Sequence, residues 1–147
     1  MTRISTNIFL VIFLSWFFVA SLFSNSASGS PEEDTDKLRN LLSTGQKFFQ
    51  SGQYDKAIEN LQQALAIARR LGTENMISIV LNNIGQVYHA WGQYDKAIEN
   101  YQQALTSFRK LGKEDAIATA LNNIGFVYPV WGQYDKAMEN YQQALTL

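Results

Sequence analysis

Three stretches of this chain are near-copies of one another. Residues 51–65 (SGQYDKAIENLQQAL), 91–105 (WGQYDKAIENYQQAL) and 131–145 (WGQYDKAMENYQQAL) align without gaps, the first two differing at 2 of 15 positions. Their starts at 51, 91 and 131 set a period of 40 residues. The longer stretch 81–105 differs from 121–145 only at Gln86/Phe126, His89/Pro129, Ala90/Val130 and Ile98/Met138. Tandem duplication at such a period confines the chain to supersecondary units stacked in a row, each burying its neighbour's apolar face.

Within each period the apolar spacing predicts two helices. Ile77, Leu81, Ile84, Tyr88 and Trp91 recur at steps of three and four, as do Ile117, Leu121, Ile124, Tyr128 and Trp131. That spacing lines one face of a helix. Ala97, Tyr101, Ala104, Leu105 and Phe108 line a second. Between the two stands Gly92-Gln93-Tyr94-Asp95. Gly92 suits a helix C-terminus that needs positive φ, and Asp95 suits the first turn of the next helix. Leu71-Gly72-Thr73-Glu74 and Leu111-Gly112-Lys113-Glu114 repeat the pattern of glycine stop and acidic start between units.

The copies are imperfect in instructive places. Lys37, Thr44 and Ser51 replace apolar residues of the later units, giving the first unit the polar outer face a terminal repeat needs. Met138, Tyr141, Leu145 and Leu147 receive no such treatment; they are expected to leave an apolar strip exposed, which marks an interface, self-association through the last helix included, or an aggregation risk. Pro129, where the preceding unit has His89, removes a backbone N–H and crowds the carbonyl of Gly125. An interior proline costs about 3 kcal/mol, so a kink or early helix end is predicted near Tyr128.

Composition excludes more than it assigns. Thirteen acidic and 12 basic residues leave a net charge of −1, without the basic excess that nucleic-acid binders show. With no Cys there is no disulfide framework and no thiolate nucleophile or ligand. One His, His89, cannot make a two-His metal motif. His89 is the one plausible general base near neutral pH, and no motif supplies a nucleophile or an orienting acid. The expectation is a non-enzyme with no metal and no cofactor. Charged residues are only 17% of the chain, below the usual ~25%. Twelve Gln and 11 Asn take their place, recurring at fixed points of the repeat. The pairs Asp55-Lys56, Asp95-Lys96 and Asp135-Lys136 are adjacent, so their side chains do not face each other on a helix; they read as solvated helix starts. Tyr88, Trp91, Tyr94 and Tyr101 read as core at helical spacing.

The N-terminus has the order of an export signal: Arg3, then 16 uncharged residues over 8–23, then small polar residues over 24–30. Residues 1–28 are read as a cleaved signal peptide or, in the alternative, an uncleaved signal anchor, although 16 residues fall short of the ~20 of a spanning helix. The rest of the chain is then exported, periplasmic or extracellular, or held at the membrane outside the cytoplasm, with membrane contact only through this segment. Residues 29–36, acidic and containing Pro31, are expected to be a flexible linker. The repeats then occupy 37–71, 74–111 and 114–147.

These units resemble the tetratricopeptide repeat (TPR) family, whose pattern is W-x2-L-G-x2-Y followed by A, F and A. The positions are Leu81, Ile84-Gly85, Tyr88, Gly92, Tyr94, Ala97, Tyr101 and Ala104, and again Leu121, Ile124-Gly125, Tyr128, Gly132, Tyr134, Ala137, Tyr141 and Ala144. The first unit shows Leu41, Gly45, Phe48, Gly52, Tyr54, Ala57, Leu61 and Ala64. Gly85 and Ala97 have a packing reason, since they let two helix backbones approach closely. The period of 40 departs from 34 and is similar to the kinesin-light-chain variety. The phrases Leu-Asn-Asn-Ile-Gly and Gly-Gln-Tyr-Asp-Lys-Ala look most like bacterial arrays, some of which precede a caspase-like CHAT protease domain.

The resemblance implies an all-α fold, a right-handed superhelical solenoid of three helix-turn-helix hairpins behind an N-terminal hydrophobic signal helix. It implies a non-enzymatic scaffold that binds a protein or peptide on a concave face lined by the first helices. The lining would include Arg39, Ser43, Gln46 and Phe49, then Asn82, Asn83, Gln86 and His89, then Asn122, Asn123, Phe126 and Pro129. Asn83 and Asn123 stand where family members commonly hold a peptide backbone; the other reading is that the Asn pairs bond neighbouring helices. Leu42 and Gln46 occupy positions where chaperone-tail adaptors need Lys, which argues against that ligand. The alternative to a free-standing module is a truncated array of a larger sensor or effector protein, without activity of its own beyond self-association.

Overall fold

The computed structural model describes residues 29–147, and every regular element among them is helical. The order is α1 (Pro31–Gln50), α2 (Tyr54–Arg70), α3 (Glu74–Ala90), α4 (Tyr94–Lys110), α5 (Glu114–Val127), a 3₁₀ turn (Tyr128–Trp131) and α6 (Tyr134–Leu145). The signal reading of 1–28 lies outside the described residues. Among the described residues no helix is long and apolar enough to cross a membrane. The chain divides into two units, residues 1–34 and 35–147, and the repeated hairpins belong to the second.

The linker expected over 29–36 is corrected by the structure, which is helical from Pro31 onward. Pro31 opens the helix, where its fixed φ fits and its missing N–H is not needed. The Ser30 hydroxyl accepts from the Glu33 N–H at 3.2 Å. Glu32, Glu33 and Asp34 fill the first turn, next to the positive end of the helix dipole. Ser30-Pro31-Glu32-Glu33 is thus a Ser-x-x-Glu start signal, and its charge density is helix-forming.

Each hairpin turns on the glycine the repeat predicts. Gly92 has φ 78°; its N–H bonds the His89 carbonyl at 3.0 Å and the Gln93 N–H bonds that of Tyr88 at 2.8 Å. The helices of a hairpin meet over a missing side chain. A Cβ on Gly85 would lie 2.6 Å from the Tyr101 ring, and one on Gly125 2.5 Å from that of Tyr141. Tyr101, Leu61, Leu121, Val80, Val87 and Val127 are fully buried and form one continuous core along the hairpins. At ~25 cal/mol per Å² of apolar surface, this stacking carries the stability that an isolated hairpin lacks.

The third hairpin breaks where Pro129 predicts. Its first helix ends at Val127, whereas α3, its counterpart, continues to Ala90. Tyr128–Trp131 becomes a 3₁₀ turn with Pro129 near its start. Of the polar positions expected on the outer face of the first hairpin, Lys37 and Ser51 are exposed and Thr44 is half-buried, and the Ser51 hydroxyl donates to the Phe48 carbonyl at 3.0 Å. On the last helix Met138 and Leu145 are exposed, Leu145 by 86%. Tyr141 is half-buried, since Gly125 leaves it room.

Candidate interaction surfaces

The first helices α1, α3 and α5 carry the residues assigned to ligand binding. Arg39 is exposed and pairs with Asp36 at 2.8 Å. Gln46 and Asn122 are exposed, and Asn82, Asn83, Gln86 and Asn123 half-buried. Phe49 packs its ring 6.2 Å from Tyr54, and His89 sits 5.8 Å from Tyr94. Phe126 is 61% exposed and meets Tyr141 edge-on at 5.8 Å. Phe49 and His89 therefore belong as much to the turn between helices as to the first-helix face. Burial lowers the His89 pKa below its ordinary value, which favours the neutral imidazole.

One bond joins two of these residues across units. Asn123 Nδ2 donates to Asn82 Oδ1 at 3.1 Å, linking α5 to α3. For this pair the structure realises the helix-to-helix reading of the asparagines. Asn83 is the counterpart of Asn123 one period earlier, and the counterpart of its partner Asn82 is Leu42, which carries no amide. Among the described residues no side-chain hydrogen bond is made by Asn83, Gln86 or Asn122. Each keeps donors and an acceptor open, on a surface where the neighbouring pair is locked.

The Asp-Lys pairs are exposed helix starts as read, and the lysines make a further contact. Lys56, Lys96 and Lys136 lie over the rings of Phe48, Tyr88 and Tyr128 at 5.4, 5.2 and 5.4 Å. Lys56 and Lys96 also donate to Gln53 and Gln93 at 2.8 and 2.7 Å. The Gly-Gln-Tyr-Asp-Lys phrase thus staples each turn to the helix before it through a cation–π contact. The Asp residues do open the helices.

The aromatic set also divides. Tyr101 is core, 1% exposed, and burial pushes its phenol far above the ordinary range. Trp91 and Trp131 are exposed by 42% and 38%. Tyr54 meets Trp91 at 6.2 Å with the rings tilted and Tyr94 meets Trp131 at 6.3 Å edge-on, so a Tyr–Trp contact recurs at both boundaries between hairpins. The missed signal is position: each Trp directly precedes the turn glycine, where the helix ends and its cover runs out.

The second helices have a polar seam. Arg109 Nη2 donates to Gln143 Oε1 at 3.1 Å, beside an open cleft of about 540 Å³. Ser107 Oγ donates to Glu74 Oε1 at 2.6 Å, tying α4 to the start of α3.

The tetratricopeptide repeat pattern matches residues 45–110 and 76–147. No curated protein sequence matches the chain. Among solved structures, the chain is similar to the TPR domain of Arabidopsis FLU at 22% identity and TM-score 0.72, covering 77% of this chain and 95% of that one. It is similar to a Rap protein complexed with competence and sporulation factor at 24% identity and TM-score 0.70, covering 74% of this chain and 30% of that one. It is similar to the TPR2AB domain of yeast Sti1, solved as a complex with pHSP90, at 26% identity and TM-score 0.67, covering 76% and 41%. With the repeat pattern matched from residue 45 to the end, and hairpins closed on the glycines that pattern requires, the chain belongs to the tetratricopeptide repeat family.

Proposed function

We propose that this chain is a non-enzymatic interaction module that holds an extended, near-neutral peptide segment along its first-helix face. The observation that carries this is the open amide of Asn83 beside the locked Asn82–Asn123 pair. A half-buried amide with unfilled donors and acceptor can hold a peptide bond from both sides. Asn122 and Gln86 extend the amide row, Phe126 adds an exposed ring, and the face carries few charges. The Rap and Sti1 relatives, solved with a factor and with pHSP90, support a binding role.

The test is selection of peptides from a random display library on the full chain, followed by affinity measurement. Asn83→Ala should weaken the selected peptides about tenfold, the loss expected of ~1.4 kcal/mol. Gln63→Ala on the opposite helix should leave them unchanged. Equal affinity in Asn83→Ala overturns the reading.

We further propose that residues 1–28 export or tether the repeats; N-terminal sequencing of the mature protein checks whether that segment is removed. A second reading, a part of a longer array or a self-associating one, is supported by the exposure of Met138 and Leu145. Repeat two uses the same positions, Ile98 and Leu105, to seat repeat three, and both are buried there.

A further inference from the structure

The edge of the stack that carries the turns between first and second helices is built for something other than core packing. At each boundary a Tyr from one turn abuts a Trp from the next, Tyr54 with Trp91 and Tyr94 with Trp131. Both Trp rings keep a large exposed area, and Tyr134 extends the series, 65% exposed. A cleft of about 330 Å³ opens at the second rung between Gly92–Lys96 and Trp131. Core packing would bury these rings; three amphipathic rings exposed in register mark a contact surface.

We propose that this edge is a docking surface for an uncharged, proline-rich segment in the polyproline II conformation, separate from the first-helix face. Register is one argument. Trp91 directly follows α3 and Trp131 ends the 3₁₀ turn that follows α5, one period apart, and each meets the Tyr of the preceding turn. A polyproline II strand turns every three residues, so every third residue presents the same face to successive rings. Hydrogen-bond polarity is a second. Such a strand makes no internal hydrogen bonds and its prolines carry no N–H, so it presents carbonyls and needs donors. The edge offers donors: among the described residues the indole N–H groups of Trp91 and Trp131 have no acceptor, nor has the side-chain NH₂ of Gln93, whose Oε1 is held by Lys96. Charge is the third. Each rung carries one Asp and one Lys, Asp55-Lys56, Asp95-Lys96 and Asp135-Lys136, so the edge is neutral and complements an uncharged ligand. Aromatic platforms with proline-rich segments are an established recognition mode of this geometry.

The experiment is a titration of the full chain, labelled with 5-fluorotryptophan, with a synthetic peptide repeating Pro-Pro-Gln. The Trp91 and Trp131 fluorine resonances, assigned with Phe variants, are expected to shift together and saturably. A peptide repeating Gly-Gly-Gln should shift neither. Trp131→Ala should weaken binding about tenfold and Tyr134→Ala about threefold, the loss of one aromatic platform. Tyr134 makes no ring contact among the described residues, so its variant keeps the test valid if Trp131→Ala misfolds. Asn83→Ala should leave this binding unchanged, which separates the edge from the first-helix face. No shift at millimolar peptide overturns the proposal. So do equal responses to the two peptides, loss of binding in Asn83→Ala, or shifts caused by a glucose oligosaccharide and not by the peptide.

Discussion

The side-chain amide of Asn123 donates to that of Asn82 over 3.1 Å, from the first helix of one hairpin to the first helix of the hairpin before it. Identical Leu-Asn-Asn-Ile-Gly phrases thereby end in different states. In the second hairpin the first Asn is occupied and the next, Asn83, is open; in the third, Asn122 is open and Asn123 is occupied.

Breaking the amide pair should lower stability modestly. A net neutral hydrogen bond contributes about 0.5–1.5 kcal/mol. Asn123→Ala is expected to lose about that much in urea unfolding. A cycle with Asn82→Ala should show coupling of similar size, while Asn83→Ala should stay within about 0.5 kcal/mol of the parent. Additive losses at 82 and 123 would show that the pair contributes nothing.

Gly85→Ala should destabilise although alanine is the better helix former. Its Cβ would sit 2.6 Å from the buried Tyr101 ring, whereas at Gly45 it would meet the Leu61 side chain at 3.1 Å. Overpacking costs about 1–3 kcal/mol, set against a propensity gain near 1 kcal/mol. Gly45→Ala should be the milder of the two, because an approach of 3.1 Å to the Leu61 Cγ is relieved by a shift of a few tenths of an ångström, whereas 2.6 Å to the Tyr101 ring is not. Thermal unfolding of both variants checks the order.

Pro129→His should restore in the third hairpin the helix seen in the second. The 3₁₀ turn at Tyr128–Trp131 has already relaxed part of the proline penalty. The expected gain is therefore about 1 kcal/mol, short of the ~3 of an interior proline. Slowed amide exchange at Val130 and Trp131 would report the added helical turn; unchanged exchange would mean another cause ends α5.

The pH dependence has a definite sign. Burial lowers the folded-state pKa of His89, so the unfolded chain takes up its proton first as pH falls below about 6.5. The contribution of neutral His89 is full above that value and is lost as pH falls toward the folded-state pKa. His89→Phe, the residue of the first hairpin at this position (Phe49), should flatten the fall of the urea midpoint between pH 7.5 and 5. An identical slope in parent and variant would remove His89 from the account.

Much of the fold was legible because repetition writes the same instruction three times. The helix pairs, the turn at Gly92, the close approach at Gly85 and the break before Pro129 all follow from spacing and backbone chemistry. The start of α1 was less visible, because Glu32, Glu33 and Asp34 read as solvating charge until Ser30 and Pro31 are seen as a helix start. Helical spacing places Trp91 on the core stripe but does not say how far the neighbouring hairpin covers it, and at the turn that cover ends. Which asparagines are open depended on register between hairpins, which no single helix pattern contains.

The most direct measurement of the central claim follows the side-chain NH₂ resonances of Asn83 and Asn123 in the ¹⁵N-labelled full chain while a library-selected peptide is titrated in. The open amide of Asn83 should shift with the same saturation curve as the binding isotherm, and the paired amide of Asn123 should move far less. Binding that leaves Asn83 unmoved would contradict a peptide held on the first-helix face.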